Sequence, residues 1–211
     1  VLAYVNYAEP PDSVVPAPNI IPWLCHYAPA DYSRPIADPT SEPNAQFNDL
    51  LLRWSKLAPR LLFYSYVSKS MWWRLPRPVT HTFAADVKYL YSLGIRRYYC
   101  QSALTDWAEA GPLYYVICKL LWDPTQDPDA LAADWIEHMF GPAAAEMTAF
   151  YAAVEDSIKE SRKPFSDNPP RDVPGLYNHE DLARARQHLD VALAAAAQDE
   201  VALARVRKVE E

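Results

Sequence analysis

Hydrophobic positions in the first half of the chain fall into short apolar runs, each followed by a polar loop rich in aromatic residues. Four runs predict β-strands, and they cover Val1–Tyr7, Ile20–Cys25, Leu61–Val67 and Ile95–Cys100. At least two of them are followed by a segment with helical spacing before the next run begins. This alternation predicts a (β/α) architecture, in which parallel strands present working residues at their carboxyl ends.

Helical periodicity is clearest between the second and fourth runs. One predicted helix begins near Asn44 and ends at Pro59, and its apolar stripe comprises Phe47, Leu50, Leu51, Trp54 and Leu57. A second predicted helix begins near Thr82 and ends at Gly94, where glycine favours the turn that follows a helix.

From Pro112 onward the pattern is helical. Leu113–Trp122 is apolar on all sides and predicts a buried helix, while Asp127 and Asn178 precede later helices as caps. The sequence therefore divides into a strand–helix part, residues 1–124, and an all-helical part, residues 125–211. Both ends of the chain lie inside predicted elements, so we expect a segment of a longer chain.

Composition narrows the class of protein. Half of the 211 residues are hydrophobic and 13% are aromatic, which is typical of a globular protein. The formal net charge of -7 disfavours nucleic acid as a partner. Apolar stretches stay well short of the roughly 20 residues that a membrane span needs. The three cysteines are widely spaced without a CxxC motif, which favours buried free thiols.

The sequence also lacks the motifs of common cofactor and metal sites. It has 4 glycines and no glycine-rich phosphate loop, and its 5 histidines show neither HxxxH nor HExxH spacing. No GxSxG nucleophile elbow is present. We therefore expect neither a cofactor nor a bound metal.

Loops after the strand runs combine aromatic rings with hydrogen-bonding groups. Such rings can stack on the apolar C–H faces of a sugar, whose hydroxyl groups need polar partners. The candidate sugar-binding residues are Tyr7, His26, Tyr66, Trp72, Trp73, Gln101 and Asp106. Competing interpretations stay open, because the two tryptophans could cover the core, His26 could be structural, and Asp106 could cap a helix.

Glycoside hydrolysis usually requires two carboxyl groups on either side of the bond that is cleaved. Glu9 is the candidate catalytic acid, because it lies two residues beyond the first run and is followed by two prolines. A solvated loop acid is the competing interpretation of Glu9. No second catalytic carboxyl group is identified.

Several longer segments carry a family resemblance: LAYVNYAEPP, RWSKLAPRLLFYSYV, LGIRRYYCQSA and LLWDPTQDPDALAADWIEHMFGPAA. Together with the proline-rich second run, they resemble an uncharacterised bacterial family, a domain of unknown function related to the alpha-glucuronidase and beta-hexosaminidase barrels. The resemblance covers roughly residues 1–160. It implies that the four runs are the C-terminal half of a (β/α)8 TIM barrel, followed by an all-helical region.

The resemblance also implies a glycoside substrate and a secreted or periplasmic location. In the related glycosidases the acid usually follows an earlier strand, which would lie before Val1. Cys100 stands where the family has an acidic residue before Gln101, so an acid at that position is missing from this chain.

These observations favour a glycoside hydrolase that acts at the carboxyl-terminal face of the barrel. Two alternatives stay open: a carbohydrate-binding protein with a degenerate, non-catalytic barrel, and a helical interaction scaffold. Half a barrel would expose two sheet edges, so self-association is also expected.

Overall fold

The computed structural model describes residues 1–27, 29–67, 77–102, 107–161, 163–166 and 173–211. Its four strands form one parallel sheet in which their order along the chain is also their order in space. The strands are β1 (Leu2–Ala3), β2 (Trp23–Cys25), β3 (Leu62–Tyr66) and β4 (Tyr98–Gln101). The predicted mixed α/β class is confirmed.

Helices follow the second, third and fourth strands and then continue to the end of the chain. They are α1 (Glu42–Leu57), α2 (Thr80–Ser92), α3 (Trp107–Trp122), α4 (Pro128–Phe140), α5 (Ala144–Ser161), α6 (His179–Ala195) and α7 (Glu200–Glu210). Asp127 and Asn178 cap α4 and α6 as predicted, because their side chains accept hydrogen bonds from the backbone amides of Asp129 and Asp181. The division into residues 1–124 and 125–211 stays a prediction.

The first predicted strand is much shorter than its apolar run. Only Leu2–Ala3 pairs with β2, and Val5–Tyr7 forms a 3-10 turn instead. Val5 has a φ of 46°, which takes the backbone out of the extended conformation. From Ala8 the chain returns to β2 through a proline-rich crossover without a helix of its own. The strand predicted for Val1–Tyr7 is therefore wrong after Ala3.

The helices α1 and α2 cover one face of the sheet. Leu24 and Phe63 point to this side and are buried against Phe47 and Leu51 of α1 and Leu90 of α2. Strand side chains alternate between the two faces of a sheet. The intervening residues of β2, β3 and β4 therefore lie on the opposite face.

The helix α3 starts earlier than predicted and passes through Pro112 without ending. Proline has no backbone N–H, so the carbonyl of Ala108 one turn earlier loses its usual partner. The hydroxyl of Tyr151 on α5 donates to that carbonyl over 2.5 Å. A side chain from another helix thus supplies the hydrogen bond that Pro112 cannot make.

Leu113–Trp122 is not buried on all sides. Leu113, Val116 and Leu120 lie in the core, whereas Leu121 is half exposed and Trp122 is 91% exposed. The prediction of a fully buried segment is therefore wrong from Cys118 onward, where Cys118 and Lys119 are exposed as well.

His81 connects α2 to the helical part of the chain. Its Nδ1 lies 2.8 Å from Glu155 Oε2 on α5, and its Nε2 lies 2.8 Å from Asp129 Oδ1 on α4. The backbone amide of His81 donates to the other oxygen of Glu155. These contacts, led by the hydrogen bond to Glu155, raise the pKa of His81 from 6.5 to about 9. The imidazolium therefore bridges three helices at neutral pH.

We expect this bridge to make stability depend on pH. Because the pKa is higher in the folded chain, the stabilisation is fully present below pH 6.5 and is lost as the pH rises through about 9. His81→Gln keeps a polar side chain but cannot be protonated, so its free energy of unfolding should fall less than that of the wild type across this interval. Urea unfolding at both ends of the interval measures the difference.

His138→Gln is the matched control, because His138 is exposed and pairs with Asp134 of its own helix. Surface pairs of this kind contribute little. A wild-type pH dependence that His81→Gln leaves unchanged would contradict the assignment.

Candidate functional site

The sheet face opposite α1 and α2 carries a continuous set of aromatic side chains. Tyr64 lies opposite Tyr99 in the β3–β4 register, and Tyr66 lies opposite Gln101. Trp23 of β2 contacts both Tyr64 and Tyr99. We call the four rings of Trp23, Tyr64, Tyr66 and Tyr99, together with the neighbouring amide of Gln101, the aromatic face.

Ring contacts hold the aromatic face in one arrangement. Trp23 stacks on Tyr99 with 5.6 Å between ring centroids, and Tyr64 meets the edge of Tyr99 at 4.7 Å. Tyr64 and Tyr66 are stacked at 4.8 Å. Such pairs stabilise by about 0.5–1.5 kcal/mol beyond the burial of their area. The rings therefore form a rigid surface rather than a set of independent side chains.

One part of the aromatic face is accessible to solvent and the other part is buried. Trp23 and Tyr64 are half-buried and Tyr99 is 44% exposed, and they line a shallow depression of about 490 Å³ together with Val1 and Leu2. Tyr66 at the carboxyl end is buried beside Tyr64 and Tyr27. Burial raises the pKa of its hydroxyl well above the usual range, so Tyr66 stays protonated.

Polar groups lie at the carboxyl end of the same face. The hydroxyl of Tyr64 donates to Gln101 Oε1 over 3.2 Å, which orients the amide of Gln101. The named members of the face carry no formal charge at neutral pH. The surface thus offers apolar rings next to an amide and hydroxyl groups.

The structure brings some of the predicted site residues together and separates others. Tyr66 and Gln101 are neighbours at the carboxyl ends of β3 and β4. Tyr7 and Glu9 line a different groove with Trp54 of α1, and Tyr7 is 80% exposed. This groove also contains both residues of β1, so it runs along the outer edge of the sheet next to α1.

Glu9 forms an ion pair with a residue of α1. Its Oε2 lies 2.7 Å from Nη2 of Arg53, and both side chains are largely exposed. The indole Nε1 of Trp54 donates to the carbonyl of Ala8 next to it, which fixes the backbone there. The carboxylate of Glu9 is therefore accessible to solvent but apart from the aromatic face.

His26 lies in the interior. Its ring packs 4.2 Å from Phe47, and its Nε2 lies 3.3 Å from Oδ1 of Asn44. Burial lowers the pKa of His26 to about 3, so the imidazole is neutral. The remaining predicted residues, Trp72, Trp73 and Asp106, lie outside the described residues.

A buried polar network fixes the long loop after β2. Asp31 accepts hydrogen bonds from Ser33 and from Ser41 Oγ, and its Oδ2 lies 3.3 Å from Nη1 of Arg34. The amide of Asn44 donates to the carbonyls of Asp31, Arg34 and Pro35. Tyr27, whose ring contacts Tyr66, lies at the start of this loop. The network therefore fixes a loop whose first residues contact the aromatic face.

Sequence reasoning did not single out Trp23, Tyr64 or Tyr99 as ligand-binding residues. Their signal is the period of two in W-x-C, Y-x-Y and Y-x-Q, which puts every second residue of adjacent strands on one face. The loops after the strands do not contain this alternating pattern, because the three rings lie within the strands themselves. Among the described residues, no group of three histidine, cysteine or acidic side chains could hold a metal ion.

Comparison with known proteins identifies the family. Residues 1–153 match the family DUF4838, a domain of unknown function. The chain belongs to the DUF4838 family. No curated protein and no solved structure matches it. The predicted membership of an uncharacterised family is thus confirmed, while these comparisons give no support for a relation of this DUF4838 chain to alpha-glucuronidase or beta-hexosaminidase.

Across the described ranges, no helix of this DUF4838 chain combines the length and the apolar character that spanning a membrane requires.

Proposed function

We propose that this DUF4838 chain binds carbohydrate on its aromatic face. The observation that carries the proposal is the open depression formed by Trp23, Tyr64 and Tyr99. Solvent-facing aromatic surface is costly to maintain and often marks a binding site. A sugar ring can cover these rings with its C–H face while its hydroxyl groups bond to polar neighbours such as Gln101.

The chemistry of the face favours a neutral saccharide. A charged sugar would be desolvated on this surface without an opposite charge among the members of the face. The chain as a whole has a net charge of -7, which repels anionic sugars at long range. We therefore place neutral oligosaccharides first among the ligands to be tested.

Tyr99→Ala tests the proposal in calorimetric titrations with a panel of neutral oligosaccharides. Loss of one stacking ring should weaken binding about tenfold, which corresponds to about 1.4 kcal/mol. Tyr91→Ala is the matched control, because Tyr91 is 47% exposed and Tyr99 is 44% exposed, but Tyr91 lies on α2. Equal effects of the two variants, or no binding across the panel, would overturn the proposal.

Hydrolysis of the bound saccharide is the second candidate function. It is favoured by the position of Tyr66 and Gln101 at the carboxyl ends of parallel strands, where (β/α)8 enzymes carry their catalytic groups. In this version the sheet is half of such a barrel, an arrangement supported by the sequential strand order and by α1 and α2 on one side.

Binding on the open aromatic face and hydrolysis in a complete barrel predict different residues as the most important for saccharide binding. In a complete barrel the depression at Tyr99 would face the packed interior, so Gln101→Ala should weaken saccharide binding more than Tyr99→Ala. Turnover of aryl glycosides that survives Glu9→Gln would exclude Glu9 as the catalytic acid.

A further inference from the structure

The groove beside Tyr7 and Glu9, which we call the edge groove, is about as large as the depression on the aromatic face. Its volume is about 510 Å³, and that of the depression is about 490 Å³. Pockets that bind small ligands commonly have volumes of about 300–1,000 Å³. The edge groove is therefore large enough to hold part of a ligand.

The edge groove and the depression are neighbours, because Val1 and Leu2 line both of them. In the sheet, Leu2 lies opposite Trp23 and shares its face. Ala3 points to the other side and is buried with residues of α1. The side chains of Val1 and Leu2 are exposed. A ligand can therefore pass over these two residues from the depression into the edge groove.

The depression and the edge groove together are longer than one sugar ring. Neighbouring strands lie about 4.8 Å apart, so β4, which carries Tyr99, is about 14 Å from β1 across the sheet. The edge groove begins at β1. A ligand that contacts both Tyr99 and the edge groove therefore consists of several linked sugar units.

A turn of fixed geometry presents Tyr7 in the edge groove. The amide of Tyr7 donates to the carbonyl of Tyr4 over 2.9 Å, and the buried indole of Trp54 donates to the carbonyl of Ala8 over 2.7 Å. Val5 in the same turn has a φ of 46°, a conformation that β-branched residues rarely adopt. Strained backbone of this kind is concentrated at functional sites. The ring of Tyr7, which is 80% exposed, is thus held toward solvent.

The edge groove offers the same kinds of contact as the aromatic face. The ring of Tyr7 can stack on a sugar, and the exposed amide of Asn6 can bond to its hydroxyl groups. The carboxylate of Glu9 pairs with Arg53, which also pairs with Asp49. The charge that remains is negative, which disfavours an anionic sugar. A neutral saccharide therefore suits both places.

We propose that a saccharide bound on the aromatic face continues over Val1 and Leu2 into the edge groove, where Tyr7 stacks on a further sugar unit. The ligand is accordingly an extended neutral oligosaccharide rather than a monosaccharide or disaccharide. This inference rests on the proposed function, because it requires a saccharide at Tyr99. It adds a second subsite and a minimum length for the ligand.

The dependence of affinity on saccharide length tests the proposal. Calorimetric titrations of the whole chain use the cello-, malto- and laminari-oligosaccharides, each from the disaccharide to the octasaccharide. In a series that binds, affinity should rise about tenfold once the saccharide reaches Tyr7 and then level off, since it gains one more stacking contact. Equal affinities for disaccharide and octasaccharide would overturn this inference and leave binding on the aromatic face intact. If no member of any series binds, the proposed function fails with it.

Tyr7→Ala assigns the length dependence to the edge groove, and its exposed side chain makes misfolding of the variant a small risk. The variant should bind the octasaccharide about tenfold more weakly than the wild type and the disaccharide equally well, whereas Tyr99→Ala should weaken both. Trp122→Ala is the matched control and should change neither affinity, because Trp122 is 91% exposed but lies on α3, outside both the depression and the edge groove. If Tyr7→Ala weakens both saccharides equally, weakens neither, or acts no differently from Trp122→Ala, the edge groove is not the second subsite.

Discussion

Asp31→Ala is expected to lower the free energy of unfolding by about 3–5 kcal/mol, the range typical when one partner of a buried charged network is removed. The side chain of Asp31 is fully buried, and its two oxygens accept from Ser33, Ser41 and the backbone amide of Phe165. Alanine would leave these donors and Arg34 without their acceptor. Because folded domains are stable by only about 5–15 kcal/mol, this loss should be evident in a urea unfolding curve.

The same loop contains a control with matching local hydrogen bonds. Asp38 accepts from the amide and the hydroxyl of Thr40, as Asp31 does from Ser33, but the Asp38–Thr40 bonds are exposed to solvent. Asp38→Ala should cost no more than about 1 kcal/mol, since water replaces the lost contacts. If the two alanine variants unfold at the same urea concentration, burial does not explain the role of Asp31.

Gly111→Ala is expected to destabilise the chain by about 1–3 kcal/mol through overpacking, although alanine is normally the better helix former by about 1 kcal/mol. A Cβ atom at Gly111 would lie 2.1 Å from Cζ2 and 2.3 Å from Cη2 of Trp135. Carbon atoms in contact are normally about 3.5–4.0 Å apart, so either the ring or α3 has to move. Trp135 packs against Phe140 and Tyr151, which leaves the ring little room.

A double-mutant cycle separates this clash from a general effect on the helix. Trp135→Leu alone should destabilise by creating a cavity, and adding Gly111→Ala should then cost nothing or restore stability. Chemical unfolding of all four proteins gives the coupling energy. If Gly111→Ala lowers the free energy of unfolding equally in the wild type and in Trp135→Leu, the proposed contact is contradicted.

Sequence periodicity predicted the parts of the fold that depend on local pattern. Each apolar run overlaps a strand of the sheet, and the caps Asp127 and Asn178 stand where helices begin. Boundaries were less accurate where backbone conformation decides them. Val5 illustrates this, because its positive φ converts the end of an apolar run into a turn.

Contacts between distant residues could not be predicted from the pattern. The sequence predicts that Asn44 caps a helix, but Asn44 lies within α1. Its side chain donates hydrogen bonds to the carbonyls of Asp31 and Arg34 in the preceding loop. The sequence predicts a helix boundary at Pro112, but α3 continues through it. The hydroxyl that bonds to the free carbonyl of Ala108 comes from Tyr151, 43 residues away along the chain. In both cases the deciding partner is supplied by tertiary packing.

The candidate site was predicted only in part, because the positions of its residues also depend on tertiary packing. Tyr66 and Gln101 come together because strand ends of a parallel sheet share one edge. Tyr7 and Glu9 follow β1, but the chain turns there toward α1, and Glu9 pairs with Arg53. A position after the end of a strand thus marks a residue as a candidate for ligand binding. The path of the backbone then decides which part of the sheet its side chain reaches.

The location of saccharide binding can be measured through the indole N–H signals of the tryptophans during an oligosaccharide titration by NMR. Trp23 belongs to the aromatic face, whereas Trp54 and Trp135 are buried side chains of α1 and α4. Trp23→Phe assigns the Trp23 signal. We predict that the Trp23 signal shifts in proportion to ligand occupancy while those of Trp54 and Trp135 stay in place. Saturable binding that leaves the Trp23 signal unmoved would contradict the account.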